Sequence, residues 1–258
     1  MPTEATTREW RTLADDDPLY AIAAWPGKEH GGWTRDEFYA TGLQEWADFE
    51  RHWARYASLS GSCLEIGCGA GRITNGLART FDRVIALDVS ERMLELAREQ
   101  VPSADYKLVD STQIPIGDGD VDAVFTCHVL QHLETADDVT DYLREAHRVL
   151  RPGGTIMAHL LLAAAPRPRV RRILSEARLR AARARNANRG AYARVNRYRP
   201  DEVRAILEAV GFIEVEMCEF RLLEGKSSAH SFWFGKKAAT ASLGQSRAGG
   251  ARTPAGCE

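Results

Sequence analysis

The sequence predicts an α/β protein with a mostly parallel central sheet and helices on both of its faces. Between about residue 60 and residue 165, apolar runs rich in β-forming residues alternate with amphipathic segments, which is the pattern of successive βαβ units. Helix-boundary residues fall in the gaps of this alternation: Ser90 can cap one helix, and Thr135 with Asp138 resembles a capping box. A glycine-rich turn, residues 67–71, directly follows the first predicted strand.

The individual elements follow from these patterns in chain order. The predicted buried strands are "CLEIGC", "RVIALDV", "YKLVD", "VDAVFTCHV" and "GTIMAHLLL", with helices such as "SERMLELAREQ" between them. Further on, "RPDEVRAILEAVGF" predicts a helix with Pro200 early and Gly211 at its end. Two late runs, "IEVEMCEFRL" and "HSFWFGKK", predict an antiparallel pair of strands at the edge of the sheet.

The composition predicts one globular domain with tails, since 44% of the 258 residues are hydrophobic and 27% are charged. Residues 1–14 and 238–258 are small and polar, and we expect them to be disordered. Residues 15–60 predict an N-terminal helical lid region. Residues 61–237 form the main domain, with an Arg-rich helical insertion at 166–199.

Hydropathy and cysteine usage indicate a cytoplasmic protein. The longest run of low polarity, "MAHLLLAAAP", is about half of the roughly 20 residues needed to cross a bilayer, so no membrane association is expected. The five cysteines form no CxxC pair, which indicates neither a disulfide framework nor a zinc site.

The glycine turn predicts a nucleotide-like ligand. Gly67 and Gly69 permit unusual backbone angles and a close approach of the ligand to the main chain. A dinucleotide-binding loop would have its third glycine where this chain has Arg72. Glu65, at the end of the strand, would repel a phosphate but could bind an ammonium group. We therefore expect a ligand with a positive group beside the loop.

Two further strand ends complete the predicted ligand. Asp88 ends the second strand, where a carboxylate can accept hydrogen bonds from both hydroxyls of a ribose. Asp110 and Ser111 follow the third strand and are placed for the edge of an adenine ring. A ribose, an adenine and an ammonium-bearing tail together describe S-adenosyl-L-methionine.

At this point the sequence resembles the class I S-adenosylmethionine-dependent methyltransferases. The resemblance rests on "LEIGCGAGR", "VIALDVSERMLELAR", "YKLVDSTQIP", "DGDVDAVFTCHVLQHL" and "REAHRVLRPGGTI", which occur in the order and spacing of the family. It implies a Rossmann-like fold with a seven-stranded, mostly parallel sheet of order 3-2-1-4-5-7-6. It also implies that Val89 and Met93 flank the adenine, and that Cys127 lies under the methionine moiety through its backbone.

A general base is optional in methyl transfer, because positioning and the exclusion of water can supply much of the acceleration. If the acceptor must lose a proton, the candidates are His132, at a position where the family often has histidine, and less favoured His128 and His159. The segments "TCHVLQ" and "AHLLL" lack the motifs of DNA methyltransferases and the acidic ligands of metal-dependent catechol-type enzymes. No metal is expected.

The acceptor is determined by segments outside the cofactor core. In related enzymes the segment before the first strand folds over the cofactor, so we expect Trp33 and Phe38 to form part of a lid that touches it. Trp46, Phe49 and Trp53 share one helical face and are predicted core residues instead.

The Arg-rich insertion leaves two interpretations open. Residues 166–199 contain twelve arginines and one acid, a local charge of +11 in a chain whose net charge is -2. The favoured interpretation is a solvated face of an amphipathic helix, and the alternative is recognition of an anionic acceptor or RNA. We therefore expect a methyltransferase that acts on an O or N atom, or else a C atom, of a small-molecule metabolite without binding nucleic acid. The alternatives are an RNA methyltransferase and a catalytically silent cofactor-binding protein.

Overall fold

The structure is a computed structural model that describes residues 4–133, 135–163, 195–220 and 230–239. Its α-helices are α1 (Glu4–Asp16), α2 (Pro18–Ile22), α3 (Arg35–Tyr56), α4 (Thr74–Thr80), α5 (Glu91–Gln100), α6 (Ala136–Val149) and α7 (Pro200–Val210). Its strands are β1 (Ser62–Ile66), β2 (Arg83–Asp88), β3 (Asp105–Leu108), β4 (Val121–Thr126), β5 (Leu150–Leu161), β6 (Phe212–Phe220) and β7 (His230–Lys237).

Within the described residues these strands form one seven-stranded sheet of order β3-β2-β1-β4-β5-β7-β6. Strands β1 to β5 run parallel to one another, and β7 is antiparallel to both β5 and β6. The predicted fold class, strand order and late antiparallel pair are all confirmed. Because parallel strands are joined by helical crossovers, the carboxyl ends of β1, β2 and β4 meet at one edge of the sheet.

Each face of the sheet is covered by its own apolar core, because successive side chains of a strand point to opposite faces. Leu64 and Val124 face one core, which includes α6 and α7 residues such as Leu143. Phe125, next to Val124, faces the other core together with Trp53 of α3. This arrangement holds the ends of the central strands rigidly in place.

Helix α3 begins with a capping box in which Thr34 Oγ1 accepts a hydrogen bond from Glu37 N, and Thr34 N donates to Glu37 Oε2. The predicted core residues Trp46, Phe49 and Trp53 are confirmed as buried along one side of this helix. The long helix therefore ties the N-terminal region to the sheet.

The predicted disorder of residues 1–14 is not what the structure has, because residues from Glu4 onward form helix α1. The helix has apolar and polar sides, and Ala14 is fully buried against other N-terminal residues. Arg11 Nε also donates a hydrogen bond to Val89 O at 2.8 Å, at the end of β2. Contacts with the rest of the protein therefore stabilise this helix, although the average hydropathy of its sequence is low. The sequence alone did not reveal these contacts.

Two predicted segments fall mainly outside the described residues. Of the Arg-rich insertion, only residues 195–199 are described, and of the C-terminal tail only residues 238–239. Among the helices that are described, none is both long enough and apolar enough to cross a membrane.

Candidate active site

A cavity of about 390 Å³ opens at the carboxyl ends of β1, β2 and β4. Eight of the predicted site residues line it: Glu65, Gly67, Gly69, Asp88, Val89, Met93, Cys127 and His132. Four do not: Trp33, Phe38, Asp110 and Ser111. The structure thus brings most of the predicted residues to one place and sets the others outside its wall.

The glycine turn after β1 has backbone angles that favour glycine, with φ of +77° at Gly67 and +53° at Gly69. A Cβ atom on Gly67 would lie 2.1 Å from Val129 Cγ2, and one on Gly69 would lie 2.7 Å from Ile22 Cδ1. The turn is therefore enclosed by the segment after β4 on one side and by helix α2 on the other. No side chain at Gly67 or Gly69 would fit without displacing these neighbours.

Glu65 is a buried carboxylate beneath this turn. Thr74 Oγ1 donates a hydrogen bond to its Oε2 at 2.5 Å. Burial, helped by the nearby Asp88 charge, raises the pKa of Glu65 to about 7, against the opposing effects of the Thr74 hydrogen bond and the Arg72 charge. A cationic ligand in the cavity would stabilise the charged carboxylate, so this end of the site is suited to a positive group.

Asp88 ends β2 and is held by two main-chain hydrogen bonds. Its Oδ2 accepts from Gly69 N at 2.8 Å, and its Oδ1 accepts from Ser90 N at 3.0 Å. Burial raises its pKa, and these main-chain N–H groups act in the opposite direction. Ser90 caps α5 by accepting from Met93 N, which places Met93 on the cavity wall.

Asp110 and Ser111 lie just past the cavity wall, which Val109 and Tyr142 form in this region. Asp110 is exposed, and the main-chain oxygen of Ser111 accepts a hydrogen bond from Tyr142 Oη at 3.3 Å. A contact between these two residues and an adenine edge stays a prediction.

A cluster of three histidines lies at the other end of the cavity. His128 N donates to His159 Nδ1 at 3.2 Å, and His159 Nε2 lies 2.9 Å from His230 Nδ1. Because His159 Nδ1 is an acceptor, the proton of this neutral ring is on Nε2, which donates to His230. Burial lowers the pKa of both His128 and His159 well below the ordinary value, so both rings are neutral near pH 7.

His128 also has a φ of +61°, which is uncommon for a residue other than glycine and is found at functional sites. Neighbouring Cys127 is half-buried, and burial raises the pKa of its thiol well above the ordinary value. The thiol is therefore uncharged and unsuited to nucleophilic attack.

His132 lines the same end of the cavity, and its ring packs edge-on against Trp10 with ring centroids 5.1 Å apart. Its Nε2 lies 3.0 Å from Gln131 Nε2, an amide donor, so Nε2 of this ring accepts a hydrogen bond. A base role for His132 stays a prediction, and it requires Nε2 to exchange Gln131 for the acceptor.

The cavity is covered by α1, α2 and the residues after them. Thr6, Thr7 and Trp10 of α1 line it, as do Ile22 and Trp25. The sequence analysis predicted an N-terminal lid over the cofactor, but it did not name these residues.

Trp33 and Phe38 pack behind the cover, in an apolar cluster with Met93 and Tyr39. Trp33 Nε1 donates a hydrogen bond to Ala23 O at 2.9 Å, which ties the ring to the segment that follows α2. Neither ring is among the residues that line the cavity, and both support the lid from behind, so a contact between them and the cofactor stays a prediction.

One group of side chains in the described ranges could hold a metal ion, namely Cys127, His128 and His159, whose ligand atoms lie within 4.8 Å of one another. Both ring nitrogens of His159 are already hydrogen-bonded in this arrangement. The absence of a metal stays an expectation.

Several lining residues escaped the sequence analysis, notably Thr7, Trp10, Glu45, Gln131 and His230. His230 begins β7 and is placed by its pairing with Leu161 of β5, a contact between residues 69 positions apart in the chain. Gln131 directly precedes the predicted His132, and this polar residue next to a candidate base could have been recognised in the sequence as a further site residue.

The strand order, the glycine turn and the acidic residue ending β2 define a Rossmann-like nucleotide-cofactor protein. Residues 64–158 match the model of a family described as "Methyltransferase domain". This stretch is a class I S-adenosylmethionine-dependent methyltransferase domain, and S-adenosyl-L-methionine is the cofactor of that family.

Known proteins show the same similarity. The chain is 34% identical over 114 residues to a Mycolicibacterium smegmatis protein named "Probable S-adenosylmethionine-dependent methyltransferase", a match that covers 42% of this chain and 43% of that protein. It is 39% identical over 94 residues to malonyl-[acyl-carrier protein] O-methyltransferase of Yersinia pestis, covering 36% and 34%. The matches thus span less than half the length of these two relatives.

A solved SAM-dependent methyltransferase of Methanosarcina mazei shares the fold with a TM-score of 0.54 and 16% identity, over 72% of this chain and 96% of that one.

Proposed function

We propose that this protein transfers a methyl group from S-adenosyl-L-methionine to an O or N atom of a small-molecule acceptor, with a carbon acceptor as a less favoured alternative. One observation carries the proposal. A single covered cavity joins the residues suited to the cofactor, such as Glu65 and Asp88, to a polar end lined by Gln131, His132 and His230.

The cofactor end fits the group that the family uses. Glu65 has a carboxylate whose charged form a cationic ligand would stabilise, and Asp88 has oxygens at the place where a ribose is bound in this fold. Gly67 and Gly69 line the same cavity in a turn whose positive φ angles favour glycine. The bound cofactor supplies an electrophilic methyl group on a sulfonium.

The protein's own contribution to the reaction would be orientation and the exclusion of water. The N-terminal helices cover the cavity, and Trp10 packs against His132 at its acceptor end. A cavity of about 390 Å³ lies within the range of roughly 300–1,000 Å³ that is usual for small-molecule sites. The size favours a metabolite over a polymer, and no contact among the described residues favours RNA.

The test is to incubate the full chain with methyl-labelled S-adenosyl-L-methionine, a metabolite extract and total RNA, and then to separate the fractions. The proposal expects label in the small-molecule fraction. Label in RNA would favour the alternative that uses the Arg-rich segment. Binding of S-adenosylhomocysteine with no label in either fraction would favour a catalytically silent protein.

A further inference from the structure

The described part of the chain contains five buried side-chain polar atoms without a hydrogen-bond partner, and they belong to Thr7, Glu45, Arg72 and Gln131. All four residues line the cavity. A buried polar atom without a partner is costly, so such atoms in a cavity wall mark where a ligand supplies the missing bonds. Because these unpartnered atoms all belong to residues of the cavity wall, we expect the ligand to carry polar groups that bind them.

Glu45 and Arg72 compensate each other's charge, because Arg72 Nη1 lies 2.7 Å from Glu45 Oε2 in a buried ion pair that lacks hydrogen-bond geometry. Gln131 differs from this pair. Its side chain carries no charge, and its Oε1 has neither a donor nor a counter-ion.

Gln131 is only 5% exposed, and its side-chain nitrogen and main-chain oxygen both have partners. Its Nε2 lies 3.0 Å from His132 Nε2 and 3.4 Å from His128 Nδ1, while its main-chain oxygen accepts from Asn196 N at 2.8 Å. The amide nitrogen is therefore directed at the two imidazoles. The carbonyl oxygen remains as the unpartnered acceptor in the polar end of the cavity.

A carbonyl oxygen needs an N–H or O–H donor. An ionised carboxylate has no hydrogen to offer and would bring a second electronegative oxygen against Oε1. Nearby cationic charge could offset this, but His128 and His159 are neutral and the Arg72 charge is paired with Glu45. The site around Gln131 is thus suited to a hydrogen-bond donor and unsuited to a carboxylate.

We propose that Gln131 binds the substrate directly, with its Oε1 accepting a hydrogen bond from an amine or hydroxyl group of that substrate. The nitrogen or oxygen of the same group is the atom that receives the methyl group. The inference rests on the proposed function and narrows its substrate class. In the transfer, the acceptor's lone pair forms the new N–C or O–C bond and the methyl–sulfur bond breaks with its electron pair going to sulfur. The acceptor's proton passes to water.

The experiment uses the full chain, tritium-methyl-labelled S-adenosyl-L-methionine and a metabolite extract. Labelled small molecules are then treated with strong base, which releases methanol from methyl esters of carboxylates but leaves N-methyl groups and methyl ethers intact. The inference expects base-stable label. Volatile label as the main product would overturn it, because the acceptor would then be a carboxylate.

Two variants test the residue itself. Gln131→Leu removes the acceptor oxygen and is expected to lower base-stable labelling roughly tenfold or more, since a site built to bind a donor loses that contact. Gln131→Glu keeps an acceptor oxygen and is expected to retain more activity than the leucine variant. Gln44→Leu, at an exposed position on α3, is the matched control and should match the parent.

Affinity for S-adenosylhomocysteine and the melting temperature are measured for each variant, and the inference expects both to stay close to those of the parent. Labelling by Gln131→Leu within twofold of the parent, or equal labelling by the leucine and glutamate variants, would overturn the inference. Failure of the proposed function itself would appear separately, as an absence of transfer by the parent chain.

Discussion

The two ends of the cavity are built in different ways. The cofactor end comes from short segments that follow successive strands, and its carboxylates and glycines lie within 24 residues of one another, from Glu65 to Asp88. The polar end, where we propose that the acceptor binds, is assembled from Trp10 of α1, Gln131 after β4 and His230 of β7. Local sequence thus specifies the chemistry shared by the family, while distant segments form the end at which we propose that the acceptor is selected.

The two ends of the cavity are in contact where Gly67, in the glycine turn after β1, packs against Val129, in the segment after β4. We therefore expect a substitution at Gly67 to disturb both ends. Gly67→Ala should lower the free energy of unfolding by about 3–4 kcal/mol, because it combines backbone strain at a positive φ with overpacking against Val129. Chemical denaturation measures the effect. Gly117→Ala, with nothing within 4 Å of the added Cβ, is the control and should change little.

The lid offers a second contrast, between a residue in its wall and one behind it. Trp33→Ala should lower the free energy of unfolding by roughly 3 kcal/mol, because Trp33 is a buried core side chain, and should leave the S-adenosylhomocysteine affinity of the folded protein within a few-fold of the parent. Trp10→Ala should instead weaken ligand binding with a smaller change in stability, since Trp10 lines the cavity. Titration calorimetry measures the loss of affinity and chemical denaturation measures the loss of stability. A large loss of S-adenosylhomocysteine affinity in Trp33→Ala, with little loss in Trp10→Ala, would place Trp33 in the cavity wall.

Asp88 tests the cofactor end alone. Asp88→Asn should weaken S-adenosylhomocysteine binding by roughly a hundredfold, because a charged acceptor of several hydrogen bonds becomes a neutral amide. Isothermal titration measures it, with Asp105→Asn at the exposed end of β3 as the control. An affinity equal to that of the parent would show that the ribose is held elsewhere.

Glu65 gives a pH dependence to the same end. Its pKa is about 7 in the folded chain against an ordinary 4.5, so folding takes up a proton between these pH values. The free energy of unfolding of the cofactor-free protein therefore falls as the pH rises from about 4.5 to about 7, by about 3 kcal/mol at roughly 1.4 kcal/mol per pKa unit, and stays reduced above pH 7.

Glu65→Gln removes the buried negative charge that lowers the stability of the parent at high pH. The variant should therefore be more stable than the parent at pH 8 and equal to it near pH 4, while binding the cationic cofactor more weakly. Denaturation across this pH range checks the sign. The exposed Glu95→Gln serves as the control, and parallel profiles for the Glu65 variant and the parent would refute the assignment.

Sequence reasoning reached the cofactor end because its signals are local. A strand, a glycine turn and a terminal acid are readable within a few residues, and seven of the residues predicted to bind the cofactor do line the cavity. It could not show that Trp33 and Phe38 pack in the N-terminal cluster and not in the cavity wall, because aromatic residues in a lid region do not reveal which ring faces inward. It failed for α1 because a polar helix held by contacts such as Arg11 to Val89 resembles a disordered tail in composition.

The sequence by itself determined the fold class, the order of the strands and the identity of the cofactor, because these depend on periodicity and on motifs placed at strand ends. The tertiary structure alone decided which side chains line the polar end of the cavity, where we propose that the acceptor binds. The pairing of β5 with β7 brings His230 to His159, and the packing of α1 brings Trp10 to His132. Such contacts join residues far apart in the chain, and no local pattern encodes them.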